Sequence, residues 1–180
     1  MRADINNTIA LIIDEQVKLM PVIHEKDIIL HNTEILIQGL KLLDVPFIIT
    51  QQYTKGMGMT EQCIFDVAGT EEYIDKRTFS CWDTDEIRQA VEASGKKQVL
   101  LAGVESHICL LQTAIDLIDA GYDVFVVENC VSSRRLSDKE TAIRRMMQTG
   151  VQVTSYESIL FELMRTSTHP NFRLVSKLIK

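Results

Sequence analysis

The chain has 180 residues, of which 46% are hydrophobic and 24% charged, and this size and composition are typical of one globular domain with a buried core. Its formal net charge of −6 argues against a nucleic-acid-binding protein, because such proteins normally present a basic face. No segment reaches the ~20 consecutive apolar residues that cross a bilayer, so we expect no membrane partner.

The first half of the chain alternates apolar segments with helical patterns. The apolar run Thr8–Ile13 predicts a buried strand, and the spacing of apolar residues in 27–43 predicts a helix. Residues 46–50 predict a second strand, and residues 72–75 predict a short third strand. The polar segment 51–70, which contains glycine and methionine, is interpreted as a loop.

The second half continues the alternation, and glycines mark the ends of its helices. A helix is predicted for residues 83–94, with Asp83 as its N-cap and Gly95 after its last residue. Ser137 and Glu140 predict a capping box at the start of a later helix. The other predicted elements are strands at 98–102, 124–127 and 151–154 and helices at 107–120, 137–150 and 157–165.

Short apolar strands that alternate with helices predict a parallel sheet covered by helices on both faces. We therefore expect an α/β fold, a three-layer α/β/α sandwich in a single domain spanning residues 1–180. The expected six-stranded parallel sheet has the Rossmann-like strand order 3-2-1-4-5-6. In this order strands 1 and 4 are neighbours, and ligands bind outside the carboxyl ends of such a pair. The apolar C-terminal residues, among them Phe172 and Val175, could pack on this domain or on a partner chain.

Cysteine usage and the N-terminus indicate the compartment. The four cysteines are widely spaced and form no CxxC pair, which argues against a disulfide framework or a structural zinc site. Asp4, Asn6 and Asn7 interrupt the first ten residues, which therefore lack the basic-then-apolar pattern of a signal peptide. These features predict a cytoplasmic protein.

Three side chains that could carry chemistry follow predicted strands. Asp14 comes directly after the first strand, Lys76 follows the third, and Cys109 lies just after the fourth. Ser106 is a plausible N-cap for the helix that contains Cys109, and a thiol in the first turn of a helix has a lowered pKa. Each residue alone also has an ordinary interpretation: a turn-forming aspartate, a solvated lysine or a small buried cysteine.

The predicted strand order brings these three side chains to one edge of the sheet. A carboxylate can accept the thiol proton there, and a cation can stabilise the thiolate. A thiol, a base and a cation in one cleft are the groups that nucleophilic catalysis requires. The sequence therefore predicts Asp14, Lys76 and Cys109 as a catalytic set.

Four segments carry a resemblance to a known family. They are residues 12–16 (IIDEQ), 76–80 (KRTFS), 103–109 (GVESHIC) and 129–134 (NCVSSR). With these segments in order, the sequence resembles the isochorismatase-like cysteine hydrolase family over nearly the whole chain, and more narrowly its short isochorismatase-domain-containing branch.

The resemblance implies a role for each residue of the set. Asp14 would be the general base, Lys76 would stabilise the charged pair and orient the substrate, and Cys109 would attack a carbonyl to form a thioester. The backbone N–H groups of Glu105 and Cys109 would form the oxyanion hole, and the Val104–Glu105 peptide bond would be cis. The family also implies a small-molecule substrate and a homo-oligomer, at least a dimer.

The sequence departs from the family pattern at two places, and the second affects which metal, cofactor and substrate we expect. Ser106 stands where the family usually has threonine, and the hydroxyl is kept. Nicotinamidases of the family carry an Asp/His cluster for a metal after strand 2, whereas this chain has Gln51, Gln52, Tyr53 and Thr54 there. We therefore expect neither a metal nor another cofactor, and nicotinamide is disfavoured as a substrate.

Residues that flank the predicted site are candidates for binding the substrate. They are Gln16, Tyr53, Phe79, Trp82 and His107. Two alternatives to amide hydrolysis stay open: a vinyl-ether hydrolase of the isochorismatase type, in which Asp14 is the acid and Cys109 is incidental, and a non-enzymatic binding protein. Dinucleotide binding is disfavoured because no glycine follows the first strand.

Overall fold

A computed structural model describes residues 1–180 and has one six-stranded sheet at its centre. All strand pairs are parallel, and the strand order is β3-β2-β1-β4-β5-β6. The strands are β1 (Thr8–Ile13), β2 (Phe47–Gln52), β3 (Ile74–Lys76), β4 (Gln98–Val104), β5 (Asp123–Ser132) and β6 (Gln152–Thr154). The predicted fold class and strand order are confirmed.

Eight α-helices cover the two faces of the sheet. They are α1 (Lys26–Leu42), α2 (Thr54–Met57), α3 (Gln62–Ala68), α4 (Asp85–Ala93), α5 (Leu111–Asp119), α6 (Leu136–Gln148), α7 (Tyr156–Met164) and α8 (Phe172–Leu178). One core lies under α1, α3, α7 and α8, and the other lies under α4, α5 and α6. The three layers are therefore helices, sheet and helices. None of the helices is long and apolar enough to cross a membrane.

The continuous apolar character of β1 follows from its place in the centre of the sheet. Every residue of β1 is buried. Ala10 and Ile12 point into the core under α1, whereas Leu11 and Ile13 point into the core under α4 and α5. Because both faces are covered, the strand has no polar alternation, as is typical of a central parallel strand.

Strands β1 and β4 approach each other unusually closely at one glycine. Ile13 is paired with Gly103, which has a φ of +115°. A Cβ atom at this position would lie 2.0 Å from the carbonyl oxygen of Ile13. Only glycine fits this close approach of two backbones. The contact lies one residue before Asp14, so it helps to fix the position of the predicted base.

The predicted loop 51–70 is wrong in part, because it contains α2 and α3. In α3 the residues Ile64, Phe65 and Ala68 pack into the core under α1, and Gly69 ends the helix with a φ of +74°. The apolar face of α3 spans fewer than two turns, which is too short for a clear helical period in the sequence.

The predicted helix caps at Asp83, Ser106 and Ser137 are also wrong. The N-cap residues of α4 and α6 are Thr84 and Arg135, and neither makes a side-chain capping bond. The Thr84 hydroxyl is instead 2.8 Å from the hydroxyl of Thr78. Serine and threonine hydroxyls have several local partners, so a sequence pattern alone does not decide which one they bind.

Two further differences concern the end of a strand and the C-terminus. Strand β5 runs five residues beyond the predicted 124–127, through polar Glu128 and Asn129, and its pairing with β4 shifts register between Leu101 and Gly103. Helix α8 packs on the same chain: Val175 is fully buried, and the ring centroids of Phe172 and Phe161 are 6.2 Å apart.

Candidate active site

The three side chains predicted to act together meet at the carboxyl edge of the sheet. Asp14 directly follows β1, Lys76 is the last residue of β3, and Cys109 lies in a π-helical turn, Ser106–Leu110, that follows β4. Lys76 Nζ is 2.8 Å from Asp14 Oδ2. The negative charge of Asp14 also acts on the Cys109 thiol, whose pKa it raises. The carboxylate therefore sits between the cation and the thiol.

The Asp14–Lys76 ion pair is completely buried. Both side chains are 0% exposed, and Cys109 is 7% exposed. A single charge in such a place would carry a desolvation cost of several kcal/mol, so the two charges depend on each other. The pair therefore places a carboxylate and an ammonium near a thiol, with all three side chains largely shielded from solvent.

The surrounding chain holds both partners of the ion pair in place. The Thr50 hydroxyl donates to Asp14 Oδ1 at 2.9 Å. Lys76 Nζ donates to Gln52 Oε1 at 2.7 Å and to the carbonyl oxygens of Phe79 at 3.1 Å and Thr78 at 3.3 Å. Together with Asp14 these are four acceptors for three N–H bonds. The Lys76 ammonium therefore has an acceptor within the chain for each of its N–H groups.

The Cys109 thiol is protonated in this arrangement, contrary to the pKa lowering predicted from a helix start. Burial raises the pKa of Cys109 most, and the negative charge of Asp14 raises it further, while Lys76 opposes the shift. The predicted cap residue, Ser106, instead donates its hydroxyl to the carbonyl oxygen of Ser132 at 2.9 Å. Cys109 is also the fourth residue of a π turn, not a residue in the first turn of a regular helix.

In this geometry the thiol proton can be transferred to Asp14, which would leave a thiolate near the Lys76 charge. This transfer leaves the total charge of the buried group unchanged, because one negative charge moves from oxygen to sulfur. Lys76 lies close enough to act on both negative sites. A base and a nucleophile coupled in this way can perform general acid–base and nucleophilic catalysis.

A second thiol, Cys81, lies beside this group and was not singled out by the sequence. It is fully buried, and its Sγ is 4.0 Å from the Thr50 hydroxyl oxygen. Burial raises the pKa of Cys81 to about 11, with Lys76 opposing the shift. Cys81 reaches the site through the turn after β3, and this turn has no motif by which the sequence could have identified the residue.

The segment between β4 and the π turn is held by Arg134. The backbone N–H and the Nε of Arg134 donate to Glu105 Oε2 at 3.0 and 3.1 Å. The Val104–Glu105 peptide bond is cis, as the family resemblance implied. The backbone N–H of Glu105 has no acceptor within the chain.

The residues predicted to bind substrate have different surroundings. Gln16 is fully buried, and its side chain bonds to the backbone of Gln52 and Gly58, so it joins two loops. His107 Nδ1 is 2.9 Å from the Ser133 hydroxyl, and Phe79 is 54% exposed.

The remaining two are aromatic residues with contacts of their own. Arg77 lies over the ring of Tyr53, 3.8 Å from its centroid. The Trp82 ring packs edge-on against Tyr122, which precedes β5 at the amino end of the sheet. The structure therefore does not group the Trp82 ring with Asp14, Lys76 and Cys109. No three His, Cys, Asp or Glu side chains gather into a group that could hold a metal ion.

Glu15 is a buried carboxyl group that the sequence did not single out. It points away from Asp14, accepts a hydrogen bond from the Thr33 hydroxyl at 2.8 Å, and its Oε2 has no partner. Burial raises its pKa from 4.5 to about 8, the Thr33 bond opposes the shift, and Glu61 and Glu34 add to it. The raised pKa favours the protonated, neutral form of Glu15 near pH 7.

Replacing Glu15 by glutamine is expected to stabilise the protein at alkaline pH. Between about pH 4.5 and 8 the unfolded chain releases the Glu15 proton and the folded chain keeps it, so wild-type stability falls as pH rises. The full shift corresponds to roughly 5 kcal/mol. Urea unfolding at pH 5 and 8.5 should show that the free energy of unfolding of Glu15→Gln, relative to that of wild type, is higher at pH 8.5 than at pH 5. If the free energy of unfolding depends on pH equally in the two proteins, the raised pKa of Glu15 is contradicted. The control is Glu157→Gln, at an exposed position.

Comparison with known proteins places this geometry in a family. A family model described as the isochorismatase domain matches residues 8–158. The chain is 35% identical over 167 residues to isochorismatase domain-containing protein 1 of Danio rerio, covering 93% of this chain. It spans only 59% of that relative's length. It is also 38% identical over 156 residues to the secreted isochorismatase effector Isc1 of Phytophthora sojae, covering 84% of this chain and 74% of the relative.

Solved structures agree with this match. The MAR1 ribonuclease of Caenorhabditis elegans is 33% identical, with a TM-score of 0.92 over 99% of this chain and 92% of that one. YcaC of Escherichia coli, described as an octameric hydrolase of unknown specificity, is 27% identical with a TM-score of 0.88 over 98% and 95%. YcaC of Pseudomonas aeruginosa, solved with hexane-2,5-diol and covalent acrylamide, is 25% identical with a TM-score of 0.88 over 99% and 95%. From its sequence, its sheet and these relatives, the chain belongs to the isochorismatase domain family.

Proposed function

We propose that the protein is a cofactor-independent cysteine hydrolase that cleaves a small amide, or a related carbonyl compound, through a thioester on Cys109. The observation that carries this proposal is the buried Asp14–Lys76 pair at 2.8 Å, whose two charges both act on the pKa of the Cys109 thiol. A buried ion pair carries a desolvation cost, and its place beside a cysteine is unexplained if the thiol is only a small core side chain.

The first half of the proposed reaction forms the thioester. Asp14 takes the Cys109 proton, and the sulfur attacks the carbonyl carbon of the substrate. The oxygen becomes negative and accepts hydrogen bonds from the backbone N–H groups of Glu105 and Cys109. The protonated Asp14 then gives its proton to the leaving nitrogen, the C–N bond breaks, and an amine or ammonia departs. The unpaired N–H of Glu105 supports this role.

The second half releases the acid. Asp14 takes a proton from water, and the resulting hydroxide attacks the thioester carbonyl. The C–S bond breaks, and the Cys109 sulfur recovers its proton from Asp14 while the carboxylic acid leaves. Lys76 keeps its charge throughout, because its N–H groups remain bonded to Asp14, Gln52 and backbone carbonyls.

The test is intact-mass analysis of the protein after mixing with a library of small amides and esters. We expect an acyl adduct on wild type that is absent from Cys109→Ser when the modified peptide is mapped. Asp14→Asn should lower turnover of the same compound at least ~100-fold. A substrate whose turnover is undiminished in Cys109→Ala would refute the proposal.

A second candidate, vinyl-ether hydrolysis of the isochorismatase type, is favoured by the name of the Phytophthora sojae relative. In that reaction Asp14 would be the acid and Cys109 would be incidental. Isochorismate turnover that survives Cys109→Ala but is lost in Asp14→Asn would favour it over the thioester reaction. RNA belongs in the same panel because of the Caenorhabditis elegans structure, although a net charge of −6 argues against it.

The reactivity of Cys109 should depend on Asp14 in a specific direction. Because the Asp14 charge raises the thiol pKa and Lys76 lowers it, Asp14→Asn should increase the thiolate fraction while turnover is lost. Iodoacetamide labelling at pH 7 in a Cys63→Ser background, which removes the partly exposed thiol, should therefore be faster in Asp14→Asn. Slower labelling in a folded Asp14→Asn variant would contradict the proposed coupling.

We also propose a homo-oligomer, because one structural relative is described as octameric. The cytoplasmic location that we propose rests on the widely spaced cysteines, which form no CxxC pair. Light scattering at micromolar concentration is expected to give at least a dimer. A monomer at that concentration would refute this part of the proposal.

A further inference from the structure

A cleft of about 500 Å³ lies beside the amino-terminal half of β2, away from the carboxyl edge that holds Cys109. One wall is Phe47, Ile48 and Ile49, the other is the segment 70–74, and Glu86 of α4 closes one side. β3 pairs with β2 only from Thr50 to Gln52, so the chain before β3 diverges from β2 and leaves this gap.

The wall formed by β2 presents backbone groups without partners. In the pairing with β1, Ala10 N donates to Pro46 O and Asp14 N donates to Thr50 O. Since alternate residues of a strand point their backbone groups to opposite sides, the N–H groups of Phe47 and Ile49 face the cleft. No backbone hydrogen bond joins the segment 70–73 to β2. The cleft is therefore an open strand edge.

The side chains around this edge are apolar at the floor and acidic at the rim. Ile49 is buried in the core on the other face, so it reaches the cleft through its backbone. Ile48 and Ile74 are half-buried and form an apolar floor. Glu71, Glu72 and Glu86 are exposed, and no basic side chain lines the cleft.

We propose that this cleft binds an extended, basic peptide segment of a partner protein, which adds as a strand to the edge of β2. The N–H groups of Phe47 and Ile49 would donate to carbonyl groups of the peptide, and the C=O of Phe47, on the same side of the strand, would accept a peptide N–H, as in other cases of strand addition. Alternate side chains of a strand point to opposite faces, so apolar residues would contact Ile48 and Ile74. Lysine or arginine between them would meet the glutamates, and this charge complementarity selects a basic occupant.

The probe is an acetylated and amidated hexapeptide of alternating lysine and valine. Titration calorimetry should detect its binding to the wild-type protein, and NMR should show shifts of the Phe47 and Ile49 amides. The double variant Glu71→Gln, Glu72→Gln should bind about threefold to tenfold more weakly, because each exposed charge pair contributes modestly. Glu157→Gln on α7, on the opposite face, is the control and should bind like wild type.

Two further peptides decide between strand addition and plain charge attraction. A glutamate–valine hexapeptide should not bind, and a lysine–valine hexapeptide with alternate N-methylated amides should lose its affinity. Equal binding of the N-methylated peptide would overturn the proposal, and so would absence of binding at millimolar lysine–valine peptide. Self-association of the protein that shifts the Phe47 and Ile49 amides would also overturn it, since the occupant would then be a second copy.

Discussion

Replacing Lys76 by methionine is expected to lower the free energy of unfolding by about 3–5 kcal/mol, the usual cost of removing one partner from a buried ion pair. Lys76 Nζ is 2.8 Å from Asp14 Oδ2, and both side chains are fully buried, so the variant leaves a carboxylate without a cation or water. Urea unfolding monitored by circular dichroism measures the loss. Hydrolytic activity should disappear with it.

Matched variants separate this charge effect from a general loss of packing. Lys18, whose Nζ bonds to the Gly56 carbonyl at the surface, is the control, and Lys18→Met should change stability by less than ~1 kcal/mol. The double variant Lys76→Met, Asp14→Asn should recover part of the stability, because no charge remains buried. A Lys76→Met protein as stable as wild type would contradict the ion pair.

The pKa of Lys76 sets the highest pH at which the Asp14–Lys76 ion pair contributes to the free energy of unfolding. Burial lowers the pKa of Lys76, but its negatively charged surroundings, Asp14 foremost, raise it more, so the net direction is upward from 10.5. A raised lysine pKa gives stability that is complete below the unfolded value and is lost as pH rises through the folded one. The advantage of wild type over Lys76→Met should therefore persist to pH 10 and shrink only above it.

Replacing Gly103 by alanine is expected to destabilise the protein by at least ~4 kcal/mol, or to prevent folding. The new Cβ would lie 2.0 Å from the oxygen and 2.7 Å from the nitrogen of Ile13, and both are backbone atoms. Relief requires β1 and β4 to separate at the centre of the sheet. The φ of +115° adds a second penalty.

A glycine with the same backbone preference but free space is the control for this variant. Gly121 has a φ of +83°, and nothing lies within 4 Å of a Cβ built there. Gly121→Ala should therefore cost only about 1 kcal/mol, from the backbone conformation alone. Soluble yield and thermal unfolding of both variants measure the difference. A Gly103→Ala protein with the thermal stability of Gly121→Ala would contradict the close strand contact.

The sheet and the positions of Asp14 and Cys109 were predictable because they depend on long-range patterns. Continuous apolar runs mark central parallel strands, and the strand order then brings the ends of β1 and β4 together. Lys76 was harder to predict, since β3 has only three residues, Ile74–Lys76, and its apolar signal is weak.

Features that depend on local competition or on burial were not predictable. The side-chain bonds of Ser106 and Thr84 go to partners distant from any helix start. The raised pKa of Cys109 depends on how completely the loops cover it, which no spacing of residues encodes. Cys81 and Glu15 carry no motif, and their environment is set by the packing of neighbouring elements.

The near-complete enclosure of Cys109 has a consequence for kinetics. A thiol that is only 7% exposed presents little surface to a substrate, so we expect the surrounding chain to open before a substrate binds. If the open form is a fraction f of the molecules, the apparent dissociation constant is the intrinsic one divided by f. An open population of about 1% would weaken apparent affinity about 100-fold. Substrate choice is then decided partly at the entrance, where bulky molecules require a rarer opening, before any bond to sulfur forms.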